Sequence, residues 1–266
     1  MITASLRRVG ALSLRYFYLL RGSWPRLLEL AYWPTVQMIL WGFITLFLVT
    51  QTSYIAQAFG VLLSAVMLWD VLFRSQLGVS VTFFEEMYSR NLGHLFVSPL
   101  RSWELILALM LMSLARTLIG MLPATLLAMA FFGFSVYSLG LPLAGFFVNL
   151  LAMGWAVGLI VSGIVLRWGL GAESLAWVAL FALAPLSGIY YPIAVLPTWL
   201  QPVALTLPSA HVFEGMRAIL LEDTFRPDLM AKAVLLNIVF LGVGAGVFLA
   251  SFRAARVRGL LLQMGE

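Results

Sequence analysis

From Trp103 to Phe134 the chain runs for 32 residues with only two charges, Glu104 and Arg116. A helix needs about 20 apolar residues to cross the hydrocarbon of a bilayer. This run exceeds that length, so part of it must protrude or the helix must tilt. Similar runs cover residues 27–49, 55–81, 141–166, 175–189 and 229–252. Hydrophobic residues make up 62% of the chain and charged residues 10%, against roughly half and a quarter in soluble domains. A soluble fold of 266 residues has no interior that could hide so much apolar surface. Lipid must be the solvent for much of it. The sequence therefore predicts an all-α membrane protein, one domain over residues 1–266, with six transmembrane helices.

The segments between the runs add detail. Over residues 1–26, Leu6, Val9, Leu14, Phe17 and Leu20 recur at helical spacing while Arg8 and Arg15 fall on another face. This predicts an amphipathic helix lying in the membrane surface; an ordinary basic leader is the alternative. Arg15 interrupts the apolar stretch that a cleaved signal peptide would need. Gln51 to Tyr54 reads as a short polar turn. Pro192, Pro197, Pro202 and Pro208 are too dense for one straight helix. Their surroundings are too apolar for a free loop, so residues 190–218 read as a re-entrant or interfacial external hairpin. With six spans, the N-terminal side of the membrane holds eleven arginines, and the opposite side holds Arg217, Arg226 and Lys232. The asymmetry places both termini in the cytoplasm, and the chain in the cell (inner) membrane.

Several chemistries are excluded. With no cysteine, disulfides and thiolate-bound metals cannot form. His94 and His211 are the only histidines, too few for a His-rich metal site. No phosphate-binding loop of the Gly-x-x-x-x-Gly-Lys-Ser/Thr type is present. Any ATP and Mg would have to be held by a separate subunit. The balance of +5 fits membrane orientation rather than nucleic acid.

The longest loop between spans on the N-terminal side, residues 82–102, is the natural surface for such a subunit, although a solvated connector fits its composition equally. Glu86 and Arg90 stand four apart, a pair that supports a helix, and Ser98-Pro99 should end that helix. Glu85-Glu86-x-x-x-Arg90-Asn91, then Leu95-x-x-Ser98-Pro99-Leu100, then Trp103-Glu104, resembles the cytoplasmic loop of type-2 ABC exporter (ABC-2 type) permeases. Ser187-Gly188-Ile-Tyr-Tyr-Pro192, Leu196-Pro197-x-Trp199-Leu200-Gln201-Pro202, Leu207-Pro208 and Glu214-x-x-Arg217 are similar to the external hairpin of that family. The resemblance implies a dimer of permeases, giving twelve spans, with two cytosolic ABC ATPase subunits that bind ATP and Mg. It implies coupling through the first helix and through Glu85, Glu86, Arg90 and Asn91. It also implies an external gate around Tyr190, Tyr191, Pro192, Pro197, Trp199, Pro202 and Pro208. Polysaccharides, lipid-linked molecules and drugs are the implied cargo classes.

Charges within the spans need their own account. Asp70 and Arg74 are four apart and share a helix face. They are read as a pair near the cytoplasmic end that snorkels to water, with a patch on the pathway or dimer lock as the alternative. Arg116 lies too deep to snorkel; it must face protein or a wet cavity, and Glu104 is too far along the helix to meet it. Tyr190, Tyr191 and Trp199 read as an interfacial aromatic belt, or else as a stacking surface for substrate. Met110, Met112, Met121, Met129 and Met153 read as packing residues. Gly154-x-x-x-Gly158 is spaced for a close helix contact.

Two other functions fit less well. Ser187 with His211 would make a nucleophile and base for an intramembrane protease, but no orienting third group is evident. A secondary transporter free of any ATPase usually carries repeated halves, and no repeat is found.

Overall fold

A computed structural model describes residues 2–51 and 59–258. The helices are α1 (Ile2–Arg21), α2 (Trp24–Gln51), α3 (Phe59–Tyr88), α4 (Leu92–Val97), α5 (Ser102–Phe132), α6 (Pro142–Trp168), α7 (Leu175–Leu183), α8 (Gln201–Ala204), α9 (Pro208–Glu222) and α10 (Pro227–Arg258). Among the described residues there is no strand, so the all-α architecture is as the sequence predicts. In a bilayer this is expected, because a helix satisfies its own backbone hydrogen bonds. The polar turn assigned to Gln51–Tyr54 lies largely outside the described residues.

Among the described residues five helices, α2, α3, α5, α6 and α10, are long and apolar enough to cross a membrane. The run 175–189 differs from its expectation of a full span. Its helix, α7, has nine residues, about 14 Å at 1.5 Å per residue, against a hydrocarbon core of about 30 Å. Pro185 is the reason: it has no amide to donate and its ring crowds the preceding turn, so the regular helix ends at Leu183. Turns follow, with Gly188 at φ 65°, a conformation glycine adopts without strain. The loop expected over 82–102 is also shorter, because α3 stays helical through Tyr88.

α3 is the innermost helix: 78% of its apolar window is buried, against 22% for α2 and for α10. Gly154 and Gly158 of α6 let it approach α3. A Cβ at Gly154 would stand 2.7 Å from Leu72 O, and one at Gly158 would stand 2.8 Å from Gln76 O. α6 also holds α10 closely, since a Cβ at Gly244 would lie 2.6 Å from Ala156 O. Without an apolar driving force between helices in lipid, such close approach and polar contacts hold a bundle together. Asn237 on α10 supplies one, donating to Asn149 Oδ1 at 2.8 Å and to Asn149 O at 3.0 Å. α1 packs its buried stripe, Val9, Leu12, Tyr16 and Leu20, into a cluster with Phe83, Leu105 and Phe252. α1 thus lies across one end of the bundle, beside the C-terminus of α3 and the N-terminus of α5.

Candidate functional site

At the α1 end, carboxylates from α3 and α5 meet arginines from three helices. Arg8 and Arg15 are seven apart and so share a face of α1. Arg8 holds Glu104 through two hydrogen bonds, Nη2 to Oε1 at 2.5 Å and Nε to Oε2 at 2.9 Å. Two-pronged guanidinium–carboxylate contacts of this kind are strong and directional. Glu104 also accepts the Arg101 amide at 2.9 Å, which fixes the first turn of α5. Two turns further along the α1 face, Arg15 donates to Glu86 at 2.6 and 3.3 Å. Asn91 donates to the same carboxylate at 2.6 Å. Both carboxylates are fully buried, so each depends on these donors. Tyr16 lies buried beside them; burial, then the Glu86 charge, pushes its phenol well up, leaving it a neutral group.

The neighbouring Glu85 points around α3 to other partners. It accepts from Arg116 of α5 at 3.1 and 3.2 Å and lies 3.5 Å from Arg26 of α2. Two consecutive carboxylates at the end of α3 therefore tie it to α1, α2 and α5. Of the two surroundings expected for Arg116, protein or a wet cavity, it meets protein, and Glu85 is the partner that sequence spacing did not identify.

Two expectations are corrected. Glu86 and Arg90 do not pair: α3 ends at Tyr88, Arg90 adopts φ 53° and points to solvent, so the four-residue helical spacing does not apply. Asp70 and Arg74 do not snorkel. They form a buried pair at 2.6 Å, and Arg74 also donates to Leu30 O on α2 at 2.8 Å. Gly120 of α5 makes room for the guanidinium, since a Cβ there would lie 2.8 Å from Arg74 Nη1. The pair thus pins α2 to α3 instead of reaching water.

Beyond Tyr88, α4 ends at Ser98, whose hydroxyl donates to Leu95 O at 2.6 Å, ahead of Pro99. His94 and Val97 of α4 are exposed. The Tyr88 hydroxyl donates to Glu173 in the loop before α7.

At the opposite end, the proline-rich segment is built on α9. Pro208 opens that helix, where its missing amide costs nothing, and Pro202 is the second residue of α8, whose amide would also lack a partner within the helix. Glu214 Oε1 accepts the Ile193 amide at 2.8 Å and Arg217 Nη2 at 3.1 Å, and Arg217 Nη1 reaches Ile189 O at 3.4 Å. The Glu214-x-x-Arg217 spacing thus clamps the turn around Pro192. Tyr190 stacks on Trp41 of α2 with ring centroids 4.8 Å apart. Tyr191 donates to Pro185 O at 2.7 Å. Gln201 bridges to Leu196 O at 2.8 Å, closing the loop around Pro197. Trp199 is exposed.

Ser187 and His211 are not joined. Ser187 Oγ bonds Leu183 O and Ser209 Oγ, each at 2.8 Å. His211 Nε2 instead meets Leu205 O at 2.9 Å, and burial lowers the pKa of its imidazole. The nucleophile–base contact of a protease is therefore absent. Sequence reasoning also missed Arg8–Glu104, Arg15–Glu86 and Asn149–Asn237. The only signals for them were lone polar residues in apolar helices, which name no partner.

The chain is thus a multi-pass all-α bundle with a charge-locked junction at one end and a clamped proline-rich turn at the other. The chain belongs to the ABC-2 type transporter family, whose profile matches residues 16–221. It is the transmembrane permease subunit of an ABC transporter and is not itself catalytic; the family associates with ABC ATPase partners. No curated protein matches the chain significantly.

Proposed function

We propose that this permease exports its cargo from the cytoplasm in an ATP-driven complex of two permease copies and two cytosolic ATPase subunits, which hold the ATP and Mg. The carrying observation is the junction at the end of α3. Glu85 and Glu86 join α1, α2 and α5 at the end from which α4 projects with His94 and Val97 exposed. An ATPase pushing on α4 and Arg90 moves the end of α3. The three ion pairs there carry the displacement to three helices at once. The motion shifts the bundle between two arrangements without covalent chemistry in this chain.

In this reading α7 and the turns after it make a short fifth crossing, so that six crossings put both termini in the cytoplasm and α1 in the surface of the inner membrane. The segment 190–218, held by Glu214 and Arg217, is the external gate. The cargo is a polysaccharide, a lipid-linked molecule or a drug-like compound.

The test is purification from native membranes followed by vesicle transport. The complex should carry an ABC ATPase, and Glu86→Gln should keep that subunit while lowering ATP-driven transport at least tenfold, the effect of about 1.4 kcal/mol on coupling. A chain that purifies alone and transports unchanged after ATP depletion would overturn the reading.

A further inference from the structure

Arg8 and Arg15 are consumed by Glu104 and Glu86, but two other arginines of α1 are not. Arg7, Leu14 and Arg21 are spaced seven apart, so they form one stripe on the side of α1 turned away from the bundle. The two guanidiniums sit about 21 Å apart along the helix at 1.5 Å per residue. Both are exposed, and among the described residues neither meets a carboxylate. α1 contains no acidic residue. Between and beside them stand Leu14, Phe17 and Tyr18, all exposed, and the next helix opens on Trp24, 71% exposed.

Water is a poor partner for that mixture, and a bilayer surface is a good one. The apolar side chains enter the acyl boundary, Trp24 and Tyr18 suit the headgroup level, and the arginines meet phosphates. Charge decides which lipid. At this end of the bundle Arg90, Arg101, Arg167, Arg253 and Arg256 are also exposed, against Glu29 and Glu173 as the exposed carboxylates among the described residues.

We infer that the Arg7–Leu14–Arg21 stripe is a docking surface for anionic phospholipid headgroups. Arg8 and Arg15 stand about 100° around the helix from that stripe, at the edge of the buried face of α1. The helix therefore lies as a plate between charged lipid and the ion pairs at the end of α3, and headgroup charge sets how firmly α1 seats on the bundle. This surface requires no ATPase partner, so its test stands apart from the transport reading.

The experiment uses the full chain purified in neutral detergent. Phosphatidylglycerol or phosphatidylcholine is titrated into the micelles, and thermal unfolding reports the apparent affinity. Each arginine near an anionic surface contributes about fivefold in binding. The double variant R7Q/R21Q should then bind phosphatidylglycerol about 25-fold more weakly, with its melting point in phosphatidylcholine unchanged. Raising the salt should erase the wild-type preference, which tests the idea even if the variant folds poorly. R7K/R21K should keep the preference. Equal stabilisation by both lipids in the wild type overturns the inference. So does a double variant that keeps wild-type affinity for phosphatidylglycerol. Loss of a co-purifying ATPase from R7Q/R21Q with an intact lipid response also overturns it, by assigning the stripe to a protein partner.

Discussion

Alanine at Gly154 adds one carbon between α6 and α3. The nearest backbone atoms to it are Leu72 O at 2.7 Å and Gln76 N at 3.0 Å. Both are main chain, so neither can rotate away as a flexible side chain would. Relief requires the two helices to part by a few tenths of an ångström. Ser75 must also move, which breaks its hydroxyl bond to Leu72 O at 2.9 Å. Overpacking of this kind costs about 1–3 kcal/mol, and the lost hydrogen bond about 1 kcal/mol. Replacing glycine by alanine in a helix returns about 1 kcal/mol. The net expectation is a loss of about 1–3 kcal/mol. Gly246 on α10 is the control, since a Cβ there meets nothing within 4 Å; Gly246→Ala should be neutral or stabilising by up to about 1 kcal/mol. The assay is reversible unfolding of both variants in mixed micelles as the denaturing detergent is increased. If Gly154→Ala proves as stable as Gly246→Ala, the α3–α6 contact is not what limits helix approach, and the account of the core is refuted.

Asp70→Asn should cost about 3–5 kcal/mol by stranding the buried Arg74 charge; the double variant D70L/R74M should recover much of it in the same assay. Asn237→Leu removes a polar contact between α6 and α10 and should cost about 0.6–1.7 kcal/mol, read as a lower unfolding midpoint. His211 makes stability pH-dependent. Burial, the largest influence, lowers its pKa, and Lys232 acts in the same direction; the contact with Leu205 O and the charges of Asp228 and Glu214 act against them. The unfolded chain, titrating near about 6.5, then takes up the proton first. Its stabilising contribution is complete above about pH 6.5 and is lost as pH falls through the lower native value. Melting curves between neutral and mildly acidic pH should show that fall, and H211Q, which keeps a donor for Leu205 O, should flatten it.

Much of the bundle was readable from the chain because lipid imposes a simple rule: long apolar runs become helices. The run 175–189 forms a shorter helix than hydropathy suggested, because hydropathy counts apolar residues and ignores the amide that Pro185 lacks. The junction was half readable. Glu85, Glu86 and Asn91 stood out as polar residues ending an apolar run, and Glu86 was wrongly given to Arg90, four residues away. Its real partner, Arg15, is 71 positions distant, and no local spacing rule reaches that far. Asp70 and Arg74 were paired correctly by the helical repeat but were expected to reach water; they are buried instead, because the Leu30 carbonyl that completes Arg74 belongs to another helix.

The amino-acid sequence by itself determined that this chain lives in a membrane, that it is helical, that it has no phosphate-binding loop of its own, and which loops carry polar residues worth attention. Those follow from composition, from the repeat of a single helix and from short motifs, all local properties of the chain. Only the tertiary structure decided which charges meet, that adjacent Glu85 and Glu86 serve different helices, that Ser187 and His211 stay apart, and that two arginines of α1 are spent on carboxylates while two stay exposed. The physical reason is range. Hydropathy and helix periodicity act over a few turns, whereas an ion pair forms only where packing brings distant segments within a few ångströms.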